Sequence, residues 1–381
     1  MYEHDGEEIF VLDAHVHLWD AREDNIVHEG GEQFIQCFHD YHAAFTPEEE
    51  LWDMDTYRYY GPDRMLRDLF DDGPVDMGIF QSTYLSDFYE EGFNTTEQNA
   101  ELAEAYPERF ILNGSFDPRD GDEGLAYLEE LKAEYDIQGV KLYTAEWRGE
   151  SKGWRLDSDE AFEFLRKCAD LGIENIHPHK GPTIRPLHRD AFDVGDVDDA
   201  ASSFPELNFI VEHVGYPRLD DFCHIATQET NVYGGLAVAA PFAQNRPRKF
   251  CDMMGELLFW VGEDNLLFGS DYALWEPDWL VPTVMNAEMT AEQRAEFGVE
   301  LTTDVKRKIM GENAARLYDV DIEAKKETFR DDEITTRFGP AVYVAVKLDR
   351  SVVEPIPTCH RDSDRAPRTL DDRLGDLTGR F

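Results

Sequence analysis

Short, nearly continuous apolar runs recur along the chain, and segments with helical spacing separate them. Runs without alternation are typical of parallel strands that are buried on both faces. A helical segment begins after Ser158, a good N-cap residue, and ends at Gly172. Eight strands alternating with helices predict an α/β protein, a (β/α)8 TIM barrel. The runs that predict these strands are Ile9–Ala14, Val75–Phe80, Phe110–Phe116, Gln138–Tyr143, Ile173–His179, Leu207–His213, Val232–Val238 and Leu266–Asp271.

A doubly wound open sheet is the alternative for such an alternation of strands and helices. That fold binds phosphate groups at a glycine-rich turn after its first strand. No glycine-rich turn follows the run that ends at Ala14. The closed barrel is therefore favoured over the open sheet.

We predict that the barrel comprises residues 1–329. Two regions of the chain exceed what a minimal barrel needs. Residues 19–74 connect the first two strands and are rich in aromatic side chains, which predicts a lid insertion that packs over a site. Residues 330–381 form a C-terminal extension that contains one strand-like run, Ala341–Leu348. The polar stretch after this run has no periodicity, so we expect part of the extension to be flexible.

The chain carries 81 acidic residues against 36 Lys and Arg, a formal net charge of −45. Such a field repels the phosphates of nucleic acids and of anionic lipids, so neither is an expected partner. The acidic residues are spread along the whole chain, and Arg outnumbers Lys. This composition resembles that of proteins from salt-accumulating halophiles, in which salt screens the self-repulsion. It therefore concerns the solvent rather than the reaction.

The five cysteines are scattered and have no CxxC spacing, which argues against a disulfide framework or a thiolate zinc site. We expect buried free thiols instead. No apolar run is long enough to span a bilayer. The acidic start of the chain, Met1–Asp5, lacks the features of a signal peptide, which predicts a cytoplasmic location.

Metal-ligating residue types lie at the carboxyl ends of the predicted strands, where barrel enzymes build their sites. Because side chains alternate along a strand, His15 and His17 point the same way and can share one ion. An HxH pair alone is weak evidence, but candidates at the corresponding ends of four strands are hard to explain by chance. Three neutral imidazoles and a carboxylate suit zinc or a similar divalent ion. The candidates are His15, His17, His177, His179, His213 and Asp271.

With these residues the chain resembles the amidohydrolase superfamily of metal-dependent barrel enzymes. The branch that it resembles is the amidohydrolase-related group, which includes aminocarboxymuconate semialdehyde decarboxylase. The combined motifs are specific for the superfamily and much less specific for the reaction. Besides the HxH pair, they are Gly139–Tyr143 (GVKLY), Gly269–Tyr272 (GSDY) and the closing segment Asn313–Tyr318 (NAARLY).

The resemblance implies one divalent metal ion, for which zinc is expected first and manganese or iron are alternatives. It implies that Asp271 is both a ligand and a proton acceptor. His213 would be an acid/base group or a ligand of a second ion. Lys141 would contact the substrate, bridge two ions as a carboxylated lysine, or pair with a carboxylate. The implied ligands are His15, His17, His179 and Asp271, with His177 as the alternative to His179.

Two further residues near the predicted strand ends are candidates for substrate binding. Arg185 could clamp a substrate carboxylate, and an ordinary surface ion pair is its alternative role. Trp275 could form a wall of the pocket or pack on the lid.

The predicted function is the hydrolysis of a small ester, lactone or amide by a metal-activated water. The alternative is the non-oxidative decarboxylation of a small unsaturated or aromatic acid at the same site. The third hypothesis is a barrel that has lost catalysis and serves as a scaffold. The expected partner is a small-molecule substrate. The family resemblance also implies that two copies of the chain could form a homodimer.

Overall fold

The computed structural model describes residues 1–338 and 343–344. The strands are β1 (Tyr2–His4), β2 (Glu7–Ile9), β3 (Leu12–Val16), β4 (Met77–Phe80), β5 (Phe110–Gly114), β6 (Gly139–Leu142), β7 (Asn175–Pro178), β8 (Asn208–Glu212), β9 (Val232–Gly235), β10 (Leu266–Leu267) and β11 (Tyr343–Val344). The other residues of the predicted run Ala341–Leu348, the polar stretch that follows it and Cys359 lie outside the described residues.

The α-helices alternate with the strands of the main sheet and continue after it. They are α1 (Glu29–Phe45), α2 (Met54–Arg58), α3 (Gly61–Phe70), α4 (Thr96–Ala105), α5 (Gly121–Tyr135), α6 (Asp159–Asp170), α7 (Val197–Ser203), α8 (Leu219–Gln228), α9 (Phe242–Asn245), α10 (Pro247–Trp260), α11 (Pro277–Met285), α12 (Ala291–Phe297), α13 (Thr303–Arg307), α14 (Asn313–Leu317), α15 (Ile322–Thr328) and α16 (Glu333–Phe338). A π-helical turn, Lys308–Glu312, joins α13 to α14.

The main sheet consists of eight parallel strands in the order in which they occur in the chain, β3 to β10. Backbone hydrogen bonds join its two edges: Ala14 N donates to Phe268 O (3.0 Å) and His17 N donates to Tyr272 O (2.7 Å). The sheet therefore closes on itself, and the predicted TIM barrel is confirmed.

The strands are shorter than the apolar runs that predicted them. Ile9, the first residue of the first predicted strand, ends β2, which pairs with β1 in an antiparallel hairpin. At the other ends of the runs, His213 and Asp271 have φ angles of 65° and 60°. This left-handed conformation cannot continue a strand, so the chain turns at these two residues.

The insertion of residues 19–74 contains α1, α2 and α3 and packs through aromatic side chains. The Trp19 ring stacks on Phe93, with 5.4 Å between the ring centroids. The Tyr60 hydroxyl donates a hydrogen bond to the carbonyl oxygen of His17 (2.6 Å). The insertion is therefore attached to the end of β3, where the candidate ligands lie.

The chain divides into two compact units, Met1–Ala345 and Val346–Phe381, and the described residues belong to the first. Two residues of the predicted extension pack on this unit: Ile334 is buried in the core, and Asp332 Oδ2 lies 2.6 Å from Arg109 Nε. The four described cysteines are free and buried, as expected. Within residues 1–338 no helix has the length and apolar character needed to cross a bilayer.

Candidate metal centre

Two histidines of β3 and its end meet a carboxylate from the turn after β10. His15 Nε2 and His17 Nε2 are 3.1 Å apart. Asp271 Oδ1 lies 3.5 Å from His15 Nε2 and 3.2 Å from His17 Nε2. All three residues are buried, and one ligand atom of each lies within 4.8 Å of the others. Two imidazole nitrogens and a carboxylate oxygen at this spacing fit a divalent transition-metal ion.

The electrostatic surroundings hold His15 and Asp271 in the forms that bind metals. Burial lowers the pKa of His15 to about 3, so its imidazole is neutral. Burial acts to raise the pKa of Asp271, but the neighbouring His15, His17 and His213 outweigh it and hold this pKa well below its usual value. The site therefore offers an ionised carboxylate beside a neutral imidazole, as a metal requires.

The outer nitrogens of the two β3 histidines also have polar neighbours. His15 Nδ1 lies 2.8 Å from Glu212 Oε2. His17 Nδ1 lies 2.8 Å from Asn94 Nδ2. Such contacts set the orientation of ligand rings. Lys141 Nζ lies 3.1 Å from His15 Nε2, so this lysine is beside the candidate centre rather than in a separate ion pair.

His179 and His213 form a pair whose hydrogen bonds define their protonation. His213 Nδ1 donates to the carbonyl oxygen of Ala237 (3.1 Å), and its Nε2 lies 3.1 Å from His179 Nδ1. Burial lowers the pKa of both histidines, so both are neutral. His213 Nε2 is then an acceptor and His179 Nδ1 its donor. The lone pair of His179 therefore lies on Nε2, which is buried without a hydrogen-bond partner and free to bind an ion.

Both ring nitrogens of His177, the alternative to His179, contact other side chains. Its Nδ1 lies 2.7 Å from Glu212 Oε1, and its Nε2 lies 2.7 Å from the hydroxyl of Tyr318. His177 is fully buried inside the barrel and is not among the residues that line the cavity at the candidate centre. The placement therefore favours His179 over His177 as the third histidine.

A small cavity adjoins the candidate centre. The predicted lid supplies two of its walls, Phe38 and Tyr41 of α1. Its lining residues are His15, His17, Phe38, Tyr41, Thr83, Phe93, Lys141, Tyr143, His179, Pro182, Ile184, His213, Val238, Asp271, Leu274 and Trp275. A larger and more open cavity of about 510 Å³ lies at the amino-terminal ends of β4 and β5, but none of the predicted site residues lines it.

The two predicted substrate contacts outside the strands lie in different places. Trp275 lines the cavity and is fully buried, so it forms part of the wall. Arg185 is exposed, forms an ion pair with Asp40 of α1 and does not line the cavity. The expected carboxylate clamp is therefore absent from the described wall, since the guanidinium lies at the surface in an ion pair with α1.

Sequence reasoning did not include Glu212, Asn94 and Tyr318, which contact the site histidines. A signal existed for Glu212, because a carboxylate at the end of the apolar run 207–213 has no solvent-facing side on a strand that is buried on both faces. For Asn94, in a connection between strand and helix, and for Tyr318, in the closing segment, no pattern indicated the contact.

Two glycines leave room for the site histidines. A Cβ at Gly269 would lie 2.8 Å from Cβ of His15, and a Cβ at Gly181 would lie 2.5 Å from Cδ2 of His213. Real Cβ atoms do not approach other carbons this closely, so a larger residue would displace each ring. Gly269, in the GSDY motif, and Gly181 therefore have a packing role at this centre.

A closed parallel barrel with a cluster of metal ligands at the carboxyl ends of its strands defines the class of metal-dependent barrel enzymes. The family model described as Amidohydrolase matches residues 12–320, most of the chain. The chain therefore belongs to the amidohydrolase family, as its motifs predicted. No curated protein sequence matches significantly.

Several solved structures share this fold at low sequence identity. An uncharacterized TIM-barrel protein from Bordetella bronchiseptica has a TM-score of 0.60 and 18% identity, covering 82% of this chain and 99% of its own. A 4-oxalomesaconate hydratase from Rhodopseudomonas palustris has a TM-score of 0.53 and 17% identity, covering 84% and 98%. A dihydroxybenzoic acid decarboxylase from a Polaromonas species, solved with bound manganese and 2-nitroresorcinol, has a TM-score of 0.52 and 16% identity, covering 84% and 99%.

Proposed function

We propose that this protein is a metal-dependent hydrolase of a small ester, lactone or amide. The observation that carries the proposal is the ligand set at the end of the barrel. His15, His17 and Asp271 present three ligand atoms within 4.8 Å of one another. His179 lines the same cavity but is not one of these three, and we propose that its unpartnered Nε2 serves as the fourth ligand.

Zinc is the ion that we propose first, because three neutral imidazoles and one carboxylate match its preferences. Manganese is the main alternative, since the fold relative from Polaromonas was solved with it. When bound, a divalent ion at such a site lowers the pKa of a water molecule and polarises a substrate oxygen. We propose a single ion, with Lys141 as a neighbour of the ligands rather than as a carboxylated bridge.

Asp271 is the proposed proton acceptor. Its side chain is ionised, and it lies at the wall of the cavity beside both β3 histidines. It can take a proton from the attacking water and later return it to the leaving group. The aromatic walls contributed by α1 exclude bulk water, which strengthens each electrostatic interaction within the cavity.

The role of His213 follows from its two hydrogen bonds. Because its Nδ1 donates to Ala237 and its Nε2 accepts from His179, neither nitrogen is available to a substrate in this arrangement. We propose that His213 orients His179 toward the ion. The acid/base role that the family resemblance implies would require the bond between His213 and His179 to break.

Decarboxylation of a small unsaturated or aromatic acid is the alternative, and the manganese-containing fold relative supports it. The same ligands would hold the oxygens of the acid, and a protonated group would deliver a proton to the carbon that loses carbon dioxide. The products distinguish the two reactions, since hydrolysis releases an acid from an ester, lactone or amide and decarboxylation releases carbon dioxide.

The proposal is tested by metal analysis combined with a screen of esters, lactones, amides and aromatic acids at high KCl. We expect about one divalent ion per chain, and hydrolysis that a chelator abolishes and added metal restores. Asp271→Asn should lose the activity at least 1000-fold. A protein that contains no stoichiometric metal and is unaffected by chelators would refute both the hydrolase and the decarboxylase proposals. The non-catalytic scaffold would then be the remaining hypothesis.

Other expectations remain proposals. They are membership of the branch of aminocarboxymuconate semialdehyde decarboxylase, a halophilic source, a cytoplasmic location and a homodimer. A small-molecule substrate, with neither nucleic acid nor membrane as a partner, belongs with them.

A further inference from the structure

Three polar side-chain atoms on residues that line the cavity have no hydrogen-bond partner among the described residues. They are His179 Nε2, the Tyr143 hydroxyl and Trp275 Nε1. These side chains belong to residues that are 6%, 5% and 0% exposed. The proposed metal accounts for His179, but it does not account for Tyr143 and Trp275.

Tyr143 and Trp275 are held in place by neighbouring rings. The Tyr143 ring packs against His179, with 4.5 Å between the centroids. The Trp275 ring meets Phe45 of α1 edge to face at 5.9 Å. Polar groups that are buried without a partner cost free energy, and native structures contain few of them. Tyr143 and Trp275 supply two such donors on residues that line one cavity, and a ligand that accepts hydrogen bonds there would satisfy them.

The rest of the wall limits the charge and shape of that ligand. The surroundings are largely apolar, with Phe38, Phe93 and Leu274 among the lining residues. Lys141 is the one Lys or Arg in the described wall, and it already contacts His15 Nε2. A carboxylate placed against these walls, away from the ion, would lack a cationic partner and lose its hydration.

We propose, on the basis of the hydrolase function proposed above, that Tyr143 and Trp275 determine substrate specificity by donating hydrogen bonds to oxygen atoms of the substrate. The substrate class is an uncharged ester or lactone on a flat unsaturated or aromatic body. The apolar walls hold the flat body, and the two donors hold its oxygens.

The test measures equilibrium binding to the metal-loaded protein, so that it does not depend on turnover. NMR titrations compare acetophenone, which has a carbonyl acceptor, with ethylbenzene, which has the same body without an acceptor, and with benzoate, which is charged. We expect acetophenone to bind at least tenfold more tightly than ethylbenzene, and at least tenfold more tightly than benzoate when these two are compared on the metal-free protein, where no ion can hold the carboxylate. Ethylbenzene binding as tightly as acetophenone would refute hydrogen bonding by the wall. Benzoate binding as tightly as acetophenone to the metal-free protein would refute the uncharged class and favour an acid substrate.

Two variants and two matched controls assign the effect to the residues. Tyr143→Phe and Trp275→Phe should each weaken acetophenone binding about tenfold and leave ethylbenzene binding and metal content unchanged. Tyr57→Phe and Trp279→Phe also remove unpartnered buried polar atoms, but from residues that do not line the cavity, so they should have no effect. Equal binding by Tyr143→Phe and Tyr57→Phe, or by Trp275→Phe and Trp279→Phe, would overturn the assignment to that residue.

The hydrolase function can fail independently of this recognition. A metal-loaded protein that binds acetophenone with the expected selectivity but hydrolyses no ester or lactone would refute the hydrolase function. It would leave the proposed hydrogen bonding by Tyr143 and Trp275 intact. A protein that hydrolyses esters but does not distinguish acetophenone from ethylbenzene would support the hydrolase function. It would refute hydrogen bonding to the substrate by Tyr143 and Trp275.

Discussion

Replacing Glu212 by Gln tests whether the interior of the barrel supports the candidate metal centre. Glu212 is 1% exposed, and its two oxygens lie 2.7 Å from His177 Nδ1 and 2.8 Å from His15 Nδ1. Burial acts to raise its pKa, but His15 and Lys141 outweigh burial and hold this pKa well below its usual value, so the side chain is charged. Glutamine keeps the shape of the side chain and removes this charge.

The expected loss of metal affinity can be bounded from the contacts. Removing a partner that orients a metal-ligating histidine typically costs 10- to 100-fold in affinity. We expect Glu212→Gln near the upper limit, because solvent does not screen its charge and both oxygens contact ring nitrogens. A loss of about 100-fold corresponds to about 2.7 kcal/mol.

The assay is competition for metal against a chelating indicator at high KCl, with circular dichroism as the check on folding. Glu276→Gln is the matched control, because Glu276 is also buried but makes no contact with a candidate ligand. A folded Glu212→Gln protein with the same metal affinity as Glu276→Gln would refute the role assigned to Glu212.

Three further predictions concern stability and are measured by unfolding experiments. Burial, together with Asp68 and Asp278, raises the pKa of Glu276 to about 8, so the folded protein binds a proton that the unfolded chain releases above about pH 4.5. The contribution of Glu276 to stability should therefore fall between about pH 5 and 8, by at most about 5 kcal/mol, and Glu276→Gln should remove it; a variant whose stability in urea unfolding changes with pH as that of the parent protein does would contradict this. Tyr60→Phe removes the hydrogen bond to His17 O and should cost about 1–2 kcal/mol, whereas Tyr57→Phe, which lacks such a bond, should cost less; equal costs would contradict it. Because the net charge is −45, the thermal midpoint should rise between 0.1 and about 2 M KCl as the Debye length shortens, and a midpoint that does not rise would exclude significant self-repulsion.

The amino-acid sequence by itself determined the barrel and much of the ligand set. Continuous apolar runs report burial on both faces of a strand, and eight of them with helices between them leave few alternatives to the closed barrel. The spacing of His15 and His17 places both on one side of β3, because side-chain alternation is a local property of an extended chain. The position of Asp271 at the end of the eighth run likewise indicated which edge of the barrel it would reach.

Contacts between strands were decided by the tertiary structure alone. The difference between His177 and His179 depends on what each ring meets: Glu212 and Tyr318 inside the barrel, or His213 at the cavity. The same holds for Arg185, whose guanidinium lies at the surface beside a carboxylate of α1. Hydrogen-bond partners that are tens or hundreds of residues apart meet only when the sheet closes and the insertion folds over it, and local sequence patterns carry no information about such distances.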